Sequence, residues 1–85
     1  MGKSKGSKKR AQRIHAKRRA VERYGSELSN SKLNEICKSI QSNKGTFLGR
    51  SSHRTTIWEV NYNNIVYKVV YDKNRKSIVS FLPPD

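Results

Sequence analysis

Eighty-five residues allow one small domain at most. Nineteen Lys and Arg against six acids leave a net charge of +13, with only 33% hydrophobic residues, so the chain calls for a polyanionic partner. No apolar run is long enough for a transmembrane helix or a signal peptide, and the single cysteine, Cys37, excludes an internal disulfide and a cysteine-rich zinc site and fits a reducing cytoplasm.

The charge is unevenly spread. Residues 1–23 hold ten Lys and Arg against Glu22 alone, which is +9 of the total +13. Like charges this dense repel one another until an anion neutralises them, and a nucleic-acid backbone does so with release of its counterions. After Met1, residues 1–9 contain only Gly, Ser and Lys. That composition cannot bury enough surface to order itself, so this stretch reads as a flexible basic arm ahead of a single domain over residues 10–85.

A first helix is expected from Arg10 to Tyr24, rich in Ala, Arg, Lys and Gln. Gly25 is placed to stop it in a left-handed conformation. Ile14, Val21 and Tyr24 form its apolar side, with Ala11 and Ala20 at the edges. A second helix follows Ser29 as N-cap, and Leu33, Ile36, Cys37 and Ile40 fall on one stripe that buries Cys37. Gln41–Gly45 reads as a loop.

From there the period changes to two. Thr46–Gly49 is a short strand. Thr55–Tyr62 and Ile65–Asp72 flank Asn63-Asn64, a pair that tolerates positive φ and suits a two-residue hairpin turn. That turn sets Tyr62 opposite Ile65, Val60 opposite Tyr67 and Trp58 opposite Val69, and on the other face Glu59 opposite Lys68. Lys73–Lys76 is a turn, and Ser77–Leu82 a last strand ended by Pro83-Pro84. Two helices followed by three or four antiparallel strands make an α+β domain, with the helices over the Trp58, Tyr67 and Val69 face. Trp58, Tyr62, Tyr67 and Tyr71 alternate with Val and Ile on that face, so they read as core more than as a platform for stacking bases, with Tyr62 the exception nearest the turn.

The stretch His15-Ala16-Lys17-Arg18-Arg19-Ala20-Val21-Glu22-Arg23-Tyr24-Gly25 resembles the start of the small BrnT-like and RelE-like proteins. Val69-Val70-Tyr71-Asp72, a basic turn and Ile78-Val79-Ser80-Phe81-Leu82-Pro83 resemble their final hairpin. The resemblance spans roughly residues 13–83 and is greatest to short bacteriophage-encoded members. It implies a helix or two before an antiparallel sheet, metal-independent ribonuclease activity, and a role for His15, Arg19, Arg23, Lys68 and Arg75. It also implies a catalytic Tyr, His or Arg in or after the last strand, where this chain has Ser77–Leu82.

His15, Arg19 and Arg23 are spaced i, i+4, i+8, one drifting stripe on a helix. A histidine beside two arginines offers an acid or base for RNA cleavage and cations for the developing phosphorane charge. The stripe lies off Ile14 and Val21, which favours an exposed basic face that simply touches phosphate or solvent. Arg50, His53 and Arg54, beside Ser51-Ser52, read as a phosphate clamp or a solvated loop. The expected nucleic-acid contacts are thus Lys3, Lys5, Lys8, Lys9, Arg10, Arg13, Arg18, Arg50, His53, Arg54, Lys68 and Arg75. His53 and Glu59 are the other acid–base pair to weigh, with Glu59 read first as the partner of Lys68. Neither histidine has zinc-ligand spacing, and no phosphate-binding glycine loop or nucleophile elbow is present, so no metal or cofactor is expected.

Three functional readings stand. The first is an RNA- or ribosome-binding protein of a bacterial or phage-infected cytoplasm. The second is a metal-independent endoribonuclease of the toxin kind, with an antitoxin as partner. The third is a phage inhibitor that docks its basic face on an acidic host protein. Charge alone does not separate RNA from DNA.

Overall fold

The hairpin register is the frame on which the rest is hung. In the computed structural model of the chain, which describes residues 5–84, the elements follow one another as α1 (Lys5–Tyr24), α2 (Asn30–Gln41), β1 (Thr46–Arg50), β2 (Thr55–Tyr62), β3 (Ile65–Asp72) and β4 (Ser77–Leu82). The strands form one antiparallel meander in the order β1-β2-β3-β4. Asn63 and Asn64 both take positive φ, 53° and 66°, as a two-residue turn matched to strand twist requires. Tyr62 therefore pairs with Ile65, Val60 with Tyr67, Glu59 with Lys68 and Trp58 with Val69.

Both helices lie on the face that carries Val60, Tyr67, Val69, Ile78 and Phe81, and they close an α+β core there with Ala16, Ala20, Leu33, Ile36 and Ile40. The Ser29 hydroxyl accepts from the Lys32 amide (3.2 Å) to cap α2, and its stripe Leu33, Ile36, Cys37 and Ile40 is buried as the spacing requires. Gly25, at φ +67°, stops α1, with its amide donating to the Val21 carbonyl (3.0 Å). At that end Phe81 meets Tyr24 and Tyr67 edge to face and the two tyrosines pack tilted, with ring centroids 5.0–6.2 Å apart.

Helix α1 corrects the expected apolar side. Ile14 and Val21 point outward, 54% and 46% exposed, whereas Ala16 and Ala20 are fully buried. The docked arc runs Gln12, Ala16, Ala20, Arg23, Tyr24. Its small residues let the helix lie close, and its polar members bond to the sheet. Arg23 donates to the Phe81 carbonyl (2.8 Å), covering a group on edge strand β4. The Tyr24 hydroxyl donates to the Leu82 carbonyl (2.6 Å) and accepts from the Lys68 amide (3.0 Å), bridging β3 and β4 where their pairing ends. Hydrophobicity alone does not reveal a face built from alanines and hydrogen bonds.

The start of α1 also differs from expectation. It runs from Lys5, five residues ahead of the expected Arg10. The part of the basic arm before Lys5, with Lys3, lies outside the described residues.

Two bulges break the strand period. One separates Phe47 from Gly49 in β1, and the other separates Ile78 from Ser80 in β4. The second puts both Ile78 and Phe81, three residues apart, into the core.

The α1 arrangement has a direct test in urea denaturation. Ala16→Leu should lose about 1–3 kcal/mol through overpacking. Ile14→Gln should stay within about 0.5 kcal/mol of the wild type. The opposite pattern would mean that α1 docks by its other side.

Candidate nucleic-acid interface

Antiparallel pairing brings two loops together at one end of the sheet. Thr55 pairs with Asp72 and Thr56 with Arg50, so residues 51–54 and 73–76 emerge side by side. The Lys73 amide donates to the Arg54 carbonyl (2.9 Å) and ties them. The first loop is itself closed on Thr55, whose carbonyl accepts from the Ser51 and Ser52 amides at 2.9 and 3.2 Å. Arg50, His53, Arg54, Lys73 and Lys76 are all exposed at this end.

The turn into β4 is built on Asp72, the only buried charged residue among those described. Its Oδ1 accepts from the Asn74 and Arg75 amides at 2.9 and 3.1 Å. Its Oδ2 accepts from Gln12 (3.3 Å) and from the Arg75 guanidinium (3.2 Å). Burial by itself would raise this carboxyl's pKa. The hydrogen bonds from Arg75 and Asn74 amides, Gln12 and the Arg75 guanidinium outweigh it and hold it below its ordinary value. Gln12 also accepts from the Ser77 hydroxyl, so α1 is pinned at this end. Residues 5–11 are the first turns of α1, ahead of the pinned Gln12. Lys5, Lys8, Lys9 and Arg10 belong to these first turns.

Beside the loops lies an open cleft of about 610 Å³. It exists because α2 stops at Gln41 and leaves the neighbouring part of the core face uncovered. Phe47, Trp58 and Tyr71 line it, and Arg50, Lys73 and Lys76 stand around it, with no carboxylate among the lining residues. Phe47 is 54% exposed and meets the Trp58 ring edge to face at 5.4 Å. The Trp58 indole donates to the Thr56 hydroxyl (2.8 Å), and Gln41 donates to the Tyr71 hydroxyl (3.0 Å). Trp58 is half-buried: it packs against the core, as expected, and also lines the cleft.

The structure sorts the expected site residues by place. Arg50, His53 and Arg54 are at the cationic end. Arg75 is there too, but its guanidinium is bonded to Asp72. Lys68 faces Glu59 in mid-sheet, towards the opposite end. Arg13 is half-buried and Arg18 exposed on α1. The stripe His15, Arg19, Arg23 is not assembled as one site. Arg19 pairs with Glu22 at 2.9 Å, Arg23 is used by the Phe81 carbonyl, and His15 is exposed. Arg23 therefore lies on the docked side of α1 rather than off it. His53 and Glu59 are separated by the start of β2, roughly 13 Å of strand from Thr55 to Glu59 at about 3.3 Å per residue. Tyr62, half-buried at the other end of β2, keeps its phenol above the ordinary pKa because Glu35 accepts its hydrogen bond, with burial adding to the effect.

Phe47, Lys73 and Lys76 escaped the sequence reading. The two lysines were within its reach, since a register with Trp58 opposite Val69 also puts the Lys73–Lys76 turn beside the Arg50–Arg54 loop. Phe47 was not, because the bulge after it breaks the alternation. Among the described residues no group of His, Cys, Asp and Glu could hold a metal ion, and no helix is long and apolar enough to cross a membrane. No family model, curated protein or solved structure matches the chain.

Asp72 sets a pH dependence. A carboxyl whose folded pKa is depressed contributes stability above its unfolded pKa of about 3.9 and loses it as pH falls through the folded value. Thermal or urea unfolding should therefore show stability dropping below about pH 4. Asp72→Asn should be less stable at pH 7 by about 1–3 kcal/mol, with a flatter acid limb. An acid limb unchanged by Asp72→Asn would place the titrating group elsewhere.

Proposed function

We propose that this protein is a nucleic-acid-binding module that grips the backbone of RNA with the cationic end of its sheet. The observation that carries this reading is the convergence of the exposed Arg50, His53, Arg54, Lys73 and Lys76 on two loops joined by a hydrogen bond. The only buried acid there among the described residues, Asp72, is paired with Arg75 at 3.2 Å, so these two charges offset each other and the exposed cations remain in excess. Guanidinium and ammonium groups on short, tied loops meet phosphate oxygens with little ordering left to do. RNA, or RNA on a ribosome, is preferred to DNA on the resemblance of the His15–Gly25 and Val69–Pro83 stretches to BrnT-like and RelE-like proteins.

Binding is put ahead of cleavage for a specific reason. Two of the three α1 residues that a cleavage mechanism draws on are engaged, Arg19 with Glu22 and Arg23 with a backbone carbonyl. The ribonuclease reading therefore needs its phosphorane-stabilising cations from elsewhere, and the His53 and Glu59 pair is split along β2.

Affinity for a short unstructured RNA should fall steeply with salt. Each phosphate contact removed should flatten the slope of log K against log salt by about 0.7. Lys73→Ala and Lys76→Ala should each do so, while His15→Ala should leave the slope unchanged. A salt slope that ignores both lysines would remove the loops from the interface. Discrete cleavage of the RNA in excess EDTA would restore the nuclease reading.

A further inference from the structure

The cleft beside the cationic loops has features that backbone contact does not need. Phosphates are met by exposed cations, yet here a half-exposed indole and a half-exposed phenyl ring stand beneath them. Resting on the backbone-binding reading above, we infer that the cleft is a pocket for one unpaired base, so that the protein selects single-stranded RNA over duplex. The volume, about 610 Å³, lies within the roughly 300–1,000 Å³ of sites that take small organic molecules. Its walls suit a planar ring: Trp58 and Phe47 offer stacking surface that any base can use. Its floor suits a base edge. The Tyr71 hydroxyl, which accepts from Gln41, retains its own proton to donate. Arg50, Lys73 and Lys76 surround the opening, where the sugar-phosphate chain on either side of an inserted base must pass.

A base inside a helix is stacked and paired and does not enter such a cleft without first being extruded. An unpaired strand presents its bases at no such cost. The pocket therefore converts a charge-driven interaction, which would take duplex and single strand alike, into one with a preference.

Trp58 is the only tryptophan of the chain, so its emission reports on the cleft directly. The probes are an oligouridylate and a blunt RNA duplex with the same number of phosphates, titrated at the same salt into the full-length protein. Binding is read by anisotropy of a labelled RNA, and Trp58 emission is followed with the unlabelled strand. The single strand should bind at least about tenfold tighter and quench Trp58, as expected for one stacked base. Phe47→Ala, a change at an exposed edge-strand position, should bring the two affinities to within about threefold and leave the salt slope as it was. Equal affinities with unchanged Trp58 emission would overturn the base pocket and leave the backbone reading standing. No binding of either RNA at low salt would overturn both.

Discussion

Asp72 is the constraint on which the cationic end depends. A carboxylate buried to 2% exposure is tolerable only when its lone pairs are filled, and here four donors fill them: two backbone amides, Gln12 and Arg75. Those donors come from two distant parts of the chain. The same atom set therefore shapes the Lys73–Lys76 turn and pins the N-terminal half of α1 against β4. Remove the charge and the helix, the turn and the loop tied to it through Lys73 and Arg54 lose their common anchor. A protein of net charge +13 has most to lose there, because the residues held together repel one another.

The way α1 docks explains how so basic a helix joins a fold at all. It does not rely on large apolar side chains. Ala16 and Ala20 allow a close approach, and Gln12, Arg23 and Tyr24 bond to side-chain and main-chain groups of the sheet. Arg23 covers an edge carbonyl and Tyr24 extends the β3–β4 ladder by one bridge, so the helix guards β4 as an edge strand. The remaining circumference of α1 is free to stay charged. At the other edge, β1 is left uncovered with Phe47 and Leu48 exposed, and the cleft opens beside it.

The hairpin was legible in the sequence because the Asn-Asn turn, the apolar pairs on one face and the Glu59–Lys68 pair on the other agree on one register, and that register carried most of the architecture. The stripe of α2 was legible for the same reason: four apolar residues leave one solution. The docked face of α1 was not. Periodicity weighs Ile14 and Val21 above alanine and glutamine, whereas the helix is held by close packing and hydrogen bonds to groups the sequence places sixty residues away. The bulges at Leu48 and Val79 were equally hidden, since an extra residue in a strand has no composition of its own. Of the interface, the Arg50–Arg54 loop was visible as clustered charge. The cleft was not, because it arises where α2 ends short of the sheet, a fact of relative length rather than of motif.

The proposed RNA site is one end of the sheet, and not the basic helix face at large. Backbone amide and indole NMR shifts of the labelled protein, followed during titration with oligouridylate, test it most directly. The largest changes should fall on residues 50–54 and 73–76 and on the Trp58 indole, with β2 and β3 near Glu59 and Lys68 little affected. Changes concentrated instead on His15, Arg18 and Val21 of α1, with the Trp58 indole unmoved, would contradict it.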